Sequence, residues 1–331
     1  MRFGVLDQTP VRPGSSPAEA LGESLRLAQN VEALGFDRYW LAEHHGGQAL
    51  AGPAPEILTA RIASATSTLR VGTGGVMLMH YSPFKVAEQF RVLEALFPGR
   101  IDLGIGRAPG ADGHTTAALS YGNAVGADYF AAKVADLQAW LTDGTPHTQA
   151  LSTVPCGPKT PSAPELWLLG STDQSAQLAA HLGLRFAFAH FIAPDNAAAV
   201  LKLYRDRFRP SPTLAAPYSS LGVFTLCADT PREATALARC RDLWRQRLMR
   251  GEAGPWPSIE EAERILGTDS PAGGAHAIAG TPGIVRSRLS ALLEETGADH
   301  CSVITITPEH EQRELSYQRL AEAFSLKAEA A

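Results

Sequence analysis

Strand-like and helix-like runs alternate through this chain eight times, and that alternation restricts the fold more than any other feature of the sequence. The strand-like runs are Phe3–Asp7, Arg38–Glu43, Val71–Leu78, Ile101–Ile105, Leu166–Leu169, Phe186–Phe191, Leu221–Ala228 and Ser302–Thr307. Most are continuous apolar runs, as strands buried on both faces must be. Helices announce themselves between them. Ser16-Pro17-Ala18-Glu19 carries a capping box with Pro at the first helical position, and Leu21, Leu25, Ala28 and Val31 follow at helical spacing. Thr230-Pro231-Arg232-Glu233 repeats the capping pattern. Further helices are expected at about 54–67, from Ser82-Pro83 to Phe97-Pro98-Gly99, and at about 128–141, 173–182 and 196–208, with 142–164 as a long loop.

Parallel strands joined by helices have few architectures available, and eight such units favour a closed (β/α)8 barrel over an open doubly wound sheet. The chain has 331 residues, 45% hydrophobic and 19% charged, so one large core can be built and 1–331 is expected to be a single domain. Residues 251–285 interrupt the alternation with Gly, Pro, Trp256 and a short helix-like IEEAERIL. They are expected to form a mobile excursion between the seventh and eighth units.

Composition excludes several classes of function. With 29 basic and 34 acidic residues, net −5 and no Lys/Arg block, neither nucleic acid nor an anionic membrane is an expected partner. No apolar stretch approaches ~18 residues, so no transmembrane helix is expected. MRFGVLDQTP reads as a strand and not as a signal peptide, and the expected location is cytoplasmic. The 4 cysteines are far apart with no CxxC, which reads as cytosolic thiols and not as a disulfide frame or zinc site.

A barrel puts its chemistry at the strand C-termini. LGIGRAPG (103–110) has the spacing GxGxxxG after the fourth strand, unlike a dinucleotide fingerprint in a first βα turn. Its Arg107 is a cation past a strand end, flanked by glycines. It suits a phosphate, or else a structural ion pair. Ser171, Thr172 and Ser175 follow the fifth strand and open a helix, where hydroxyls and free N–H groups can hold an anion or simply cap the helix. Glu43-His44-His45 is not HExxH, and adjacent histidines on a strand point to opposite faces, so no metal site is expected and one His enters the barrel mouth. Gly72-Thr73-Gly74-Gly75 inside a strand marks close approach by a ligand or a bulge needed for barrel closure.

At these residues the chain resembles the bacterial luciferase-like, flavin-dependent monooxygenases. The resemblance runs nearly end to end and is carried by RYWLAEHH, RVGTGGVML, FKVAEQFRVLEALFPGRIDLGIGRAPG, PELWLLGSTDQSAQLAAHLG and IAGTPGIVRSRL. It implies a luciferase-like TIM barrel, usually dimeric, that binds FMN as reduced FMNH2 with its ring system in the barrel mouth. By the same resemblance Arg107, Ser171, Thr172 and Ser175 match phosphate-binding positions. His44 matches the active-site histidine, and Thr73, Gly74 and Gly75 match a strand with a non-prolyl cis peptide beneath the flavin. Asp7 matches the closer relatives and is counted with the cofactor site.

The implied reaction is oxygenation of a small organic substrate by O2 through a flavin C4a-peroxide, by hydroxylation, epoxidation or Baeyer–Villiger chemistry. The reduced FMN would come from a separate flavin reductase. His44 would move a proton, and the loops at 108–127 and 251–280 would gate the mouth. Gly106 stands where luciferase has a reactive cysteine, and LMHYSPF replaces the Pro, Asn and His of close relatives. Both changes reshape the pocket and argue against light emission. A homodimer built on the second and third helices is expected. Abundant Arg and Ala suggest a GC-rich bacterial genome and secondary metabolism. F420-dependent hydride transfer, non-catalytic flavin binding and a dinucleotide dehydrogenase stay open as alternatives.

Overall fold

The computed structural model describes residues 1–328 apart from 48, 109, 122–128, 253 and 269–271. Its elements in chain order are β1 (Arg2–Asp7), α1 (Pro17–Ala33), β2 (Arg38–Leu41), α2 (Pro55–Ala63), β3 (Arg70–Met77), α3 (Pro83–Leu96), β4 (Ile101–Gly106), α4 (Gly113–Ser120), α5 (Phe130–Leu141) and β5 (Glu165–Gly170). They continue with α6 (Asp173–Leu182), β6 (Arg185–Ala189), α7 (Ala197–Arg207), β7 (Ser219–Cys227), α8 (Pro231–Met249), α9 (Ile259–Leu266), β8 (Ala277–Gly280), α10 (Pro282–Thr296), β9 (His300–Ile304) and α11 (His310–Phe324). The expected helix near 128–141 is α5, and Asp128 itself lies outside the described residues.

All strand pairings are parallel. The ring runs β1-β2-β3-β4-β5-β6-β7-β9 and closes where β6 pairs with β7 and β9 with β1. This is the eight-stranded (β/α)8 barrel, with β9 as the eighth stave. The short β8 is additional: it pairs only with the C-terminal end of β7, from Phe224↔Ala277 to Cys227↔Gly280. Within 251–285 the chain therefore forms α9, a turn of 3-10 helix at Gly274–His276, β8 and the start of α10. Trp256 is buried there, its ring 5.3 Å from Trp244, in an apolar cluster that reaches Phe224, Leu226 and Ile304 of the barrel. Residues 253 and 269–271 of that excursion lie outside the described residues.

The helix starts follow their local chemistry. Ser16 accepts from the Glu19 N–H, and the Glu19 carboxylate accepts from the Ser16 N–H, a complete capping box. At Thr230 only half of it forms: the hydroxyl accepts from the Glu233 N–H, while the Glu233 carboxylate accepts from the Asp229 N–H.

The bottom of the barrel is closed by a buried charge network. Asp102 accepts from Arg38 at 2.5 Å, from Arg70 at 2.7 Å and from the Trp40 indole at 2.8 Å. Burial alone would raise the Asp102 carboxyl; the two guanidinium groups outweigh it and hold it below its ordinary value. Glu165 adds a second carboxylate, 2.9 Å from Arg38 and 3.2 Å from Arg185. Four of these residues open their strands, so the network occupies the N-terminal end and leaves the C-terminal end for the cavity. Trp40 belongs to both: its indole nitrogen reaches down to Asp102, and it lines the cavity above.

Candidate active site

A cavity of about 480 Å³ opens at the C-terminal end of the barrel. Its wall can be read stave by stave. Leu6 and Gln8 come from the end of β1, and Trp40, Ala42 and His44 from β2 and the turn after it. Gly74, Gly75 and Met77 come from β3, and Gly106, Arg107, Ala108 and Gly110 from β4 and its loop. Leu169 and Gly170 end β5, Ser171, Thr172 and Ser175 follow it, and β6 and its turn supply Ala187, Phe188, Ala189, Phe191 and Ile192. Gly222 and Ser302 complete the wall.

Glycine is required on the β3 wall. The ladder to β4 shifts register between Gly74 and Val76 and leaves Gly75 in a bulge. A Cβ on Gly75 would collide with Leu169 and the Gly104 backbone, and one on Gly74 would lie 2.6 Å from Leu6 Cδ1. Of the two expectations from the sequence, the structure shows the bulge, and the close contacts around it are with neighbouring strands. The Gly74–Gly75 peptide is cis.

Arg107 is exposed on the cavity wall. Among the described residues it makes no ion pair, and its one hydrogen bond is a long one, 3.4 Å to Gln174 Oε1. Beside it α6 begins. Thr172 is the N-cap and accepts from the Ser175 N–H at 3.3 Å, and the Ser175 hydroxyl donates to the Thr172 carbonyl at 2.7 Å. Capping thus accounts for Thr172 and Ser175, yet both also line the cavity together with Ser171. A guanidinium, hydroxyls and the positive end of a helix converge on one rim, a suitable seat for a phosphate.

His44 and His45 lie past the end of β2 and point different ways. His44 lines the cavity, half-buried, with a buried Nδ1 that has no hydrogen-bond partner. Burial, with His45 beside it, lowers the imidazole to about 4, so it is neutral at pH 7. His45 turns away from the cavity to Glu43, 2.6 Å away. The buried Glu43 also accepts from the Tyr81 hydroxyl at 2.7 Å and from the Met77 N–H at 2.9 Å, which fixes the end of β3 at the cavity edge. Among the described residues no cluster of three His, Cys, Asp or Glu side chains could hold a metal.

Two residues expected at the cofactor site do not line the cavity. Asp7 is fully buried in the barrel wall, where it accepts from Arg313 and the Tyr39 hydroxyl, each at 2.6 Å, and from the Thr9 N–H at 2.7 Å. Thr73 is also buried, its hydroxyl donating to the Gly104 carbonyl at 2.9 Å. Strand alternation explains both: Leu6 and Gly74 face inward, so Asp7 and Thr73 face outward. The same alternation could have found Trp40 from Ala42. Nothing in the sequence marks Phe191, Ile192 or Ser302, which reach the cavity only through tertiary placement. Of the expected gating loops, 108, 110 and 111–121 are described, while 109 and 122–127 lie outside the described residues.

The site thus sets a phosphate-suited rim and a neutral histidine at the mouth of a parallel barrel. A family model described as luciferase-like monooxygenase matches residues 1–300, and the chain belongs to that family. A luciferase-like monooxygenase of Escherichia coli K12 is 40% identical over 96% of this chain and 95% of its own. An N-acetyl-S-alkylcysteine monooxygenase of Bacillus subtilis is 35% identical over 98% of both chains. The crystal structure of apo-MsnO8 superposes with a TM-score of 0.90 at 38% identity, covering 98% of this chain and 99% of the other. Solved structures sharing the fold alone, below 25% identity, include complexes with FMN and with an F420 adduct.

Proposed function

We propose that the protein is an FMN-dependent monooxygenase that transfers oxygen from O2 to a small organic molecule in the barrel mouth. The observation that carries this reading is Arg107, without a carboxylate partner among the described residues, on a cavity wall shared with the N-terminus of α6. The site fits the cofactor on its own terms: a cation and hydroxyls at one rim, and a glycine wall that admits a flat ring closely. A phosphate would be held by Arg107, Ser171, Thr172 and Ser175. Reduced FMN, delivered by a separate reductase, supplies the electrons that activate O2.

The chain's own residues then have distinct tasks. Gly74, Gly75 and Gly106 give the ring its seat. His44 is neutral at pH 7, so its unpartnered Nδ1 can accept a proton or donate one, according to its tautomer. Leu169, Phe188, Phe191 and Ile192 cover the reacting zone with apolar surface and keep water from it. A second copy of the chain is read as covering α2 and α3, where Ile57, Val92 and Leu96 are 70%, 47% and 61% exposed.

Anaerobic titration with reduced FMN and with reduced F420, followed by admission of O2 in a stopped-flow instrument, tests the reading. Tight binding of reduced FMN, and a transient absorbance shown by neither oxidised nor reduced flavin, is the expected result. Binding of F420 in preference to FMN, or oxidation of bound FMN at the rate of free flavin, would overturn it.

A further inference from the structure

The staves place the two ends of the cavity opposite one another. In the ring β1-β2-β3-β4-β5-β6-β7-β9, β5 lies across from β1, and β4 across from β9. The anion-suited rim on β4 and β5 therefore faces Leu6, Gln8 and Ser302. The half of the wall running from β6 to β1 differs chemically from that rim. Leu6, Ala187, Ala189, Phe191 and Ile192 make it apolar, and its polar side chains among the described residues, Gln8 and Ser302, are both neutral. Ser302 is already engaged, 3.0 Å from the Ser220 hydroxyl.

Phe191 and Ile192 are held there by the main chain. The Phe191 N–H donates to the Gly222 carbonyl at 3.2 Å, and the Ile192 N–H to the Ala189 carbonyl at 3.0 Å. The Phe191 ring lies flush against Gly222, where a Cβ would come within 3.2 Å of its Cε1. Ile192 remains 57% exposed at the mouth. The buried Arg241 does not serve this wall: it lies over the Phe224 ring, 4.5 Å from its centroid, and donates to the His276 carbonyl.

We infer that this half of the cavity takes an uncharged, largely apolar acceptor molecule, and that Phe191 sets how large it can be. A carboxylate placed here would lose its hydration and gain no cation from the described wall residues, a costly exchange. A neutral molecule pays no such penalty and buries apolar surface against Phe191 and Ile192. Gln8 offers an amide to one neutral carbonyl or hydroxyl group. The inference rests on the flavin reading in one respect only, the assignment of Arg107 to phosphate. It separates this protein from the Bacillus subtilis relative in substrate charge, because an N-acetyl-S-alkylcysteine carries a free carboxylate.

Calorimetric titration of the FMN-loaded protein with phenylacetamide and with phenylacetate, near-isosteric and differing in charge, tests the acceptor's class. The amide is expected to bind at least tenfold tighter. Equal or tighter binding of phenylacetate, or no binding of either at millimolar concentration, overturns the inference. If FMN itself does not bind, the flavin reading fails separately. The same pair is then titrated into Arg107→Ala, which lacks the cation that could capture the acid at the rim, and the same ratios decide. For size, 1-naphthylacetamide is compared with phenylacetamide in the wild type and in Phe191→Ala. The ratio of their affinities is expected to move at least tenfold toward the larger amide in the variant. An unchanged ratio removes Phe191 as the size determinant.

Discussion

Arg313 donates to Asp7 at 2.6 Å and ties the last helix of the chain to the end of its first strand, 306 residues away. The pair is fully enclosed, with Arg313 Nε also donating to the Thr305 carbonyl at 2.7 Å and Tyr39 completing the carboxylate. Burial by itself would raise the Asp7 carboxyl; the Arg313 charge and its hydrogen bonds reverse this and hold it below the usual range. Asp7 therefore ties the two ends of the chain together in the barrel wall and does not line the cavity.

Asp7→Asn should cost about 3–5 kcal/mol in urea unfolding, because it strands a buried guanidinium. Asp7→Leu with Arg313→Met should recover most of that loss, since replacing both charges with apolar groups removes the stranded ion. FMN affinity should stay within twofold in the double variant. A stable Asp7→Asn protein with weakened FMN binding would return Asp7 to the cofactor site.

Gly75→Ala tests the β3 wall. Its Cβ meets the Gly104 backbone and Leu169, so β3 and β4 must part. The expected loss is about 3 kcal/mol, the upper end of what overpacking usually costs, together with weaker FMN binding. Unchanged affinity in a folded Gly75→Ala protein would show that the ring does not approach this strand.

Arg107→Ala should weaken reduced FMN by about tenfold to a hundredfold, equivalent to ~1.5–3 kcal/mol for a charge-assisted contact. Riboflavin, which lacks the phosphate, should bind both proteins alike. Anaerobic titrations of the four combinations give the answer, and equal loss for both ligands would place Arg107 elsewhere in the site.

The barrel was legible because eight apolar strands separated by capped helices leave few closed arrangements. What stayed hidden was short or irregular. β8 has four residues, AIAG, too few for a periodic signal. α10 begins with Pro282 and spaces Val285, Leu289 and Leu293 on one face, but it follows Gly- and Pro-rich chain and merges with the excursion. At the site, the placing of Arg107 beside the start of α6 was readable because both features are local: one cation past a strand end and one helix start. The apolar wall was not, because Phe191 becomes a wall only where β6 meets Gly222 of β7. Asp7 was counted with the cofactor site on resemblance alone; alternation from the inward Leu6 turns it outward, but its partner Arg313 lies across the fold and has no local signal.

The exposed α2–α3 face bears on assembly. Val92→Glu with Leu96→Glu puts two carboxylates on a surface that a second copy would bury without solvent. Sedimentation at micromolar concentration should show a dimer for the wild type and a monomer for the double variant. A monomeric wild type would leave that face without a role in self-association.

His44 makes a prediction in both stability and turnover. Its folded value is lowered to about 4 from the usual 6.5, first by burial and then by His45. Between these values the unfolded chain binds more protons than the folded one. Stability therefore rises with pH across that window, is complete above 6.5, and is lost progressively as pH falls toward 4. The contribution is at most about 3 kcal/mol. His44→Gln should flatten the difference between urea midpoints at pH 4.5 and pH 7. In turnover, a proton-transfer role predicts a loss of about 10²–10⁴-fold in product formed per reduced flavin consumed, with reduced FMN binding nearly intact and the flavin's electrons diverted to H2O2. The acid limb of the wild-type pH profile should lie near 4 and vanish in His44→Gln. Glutamine keeps much of the size and some of the hydrogen bonding, so simple packing of the pocket by His44 would leave product yield high. Full coupling in His44→Gln would therefore refute proton transfer at this position, even if the flattened stability curve is observed.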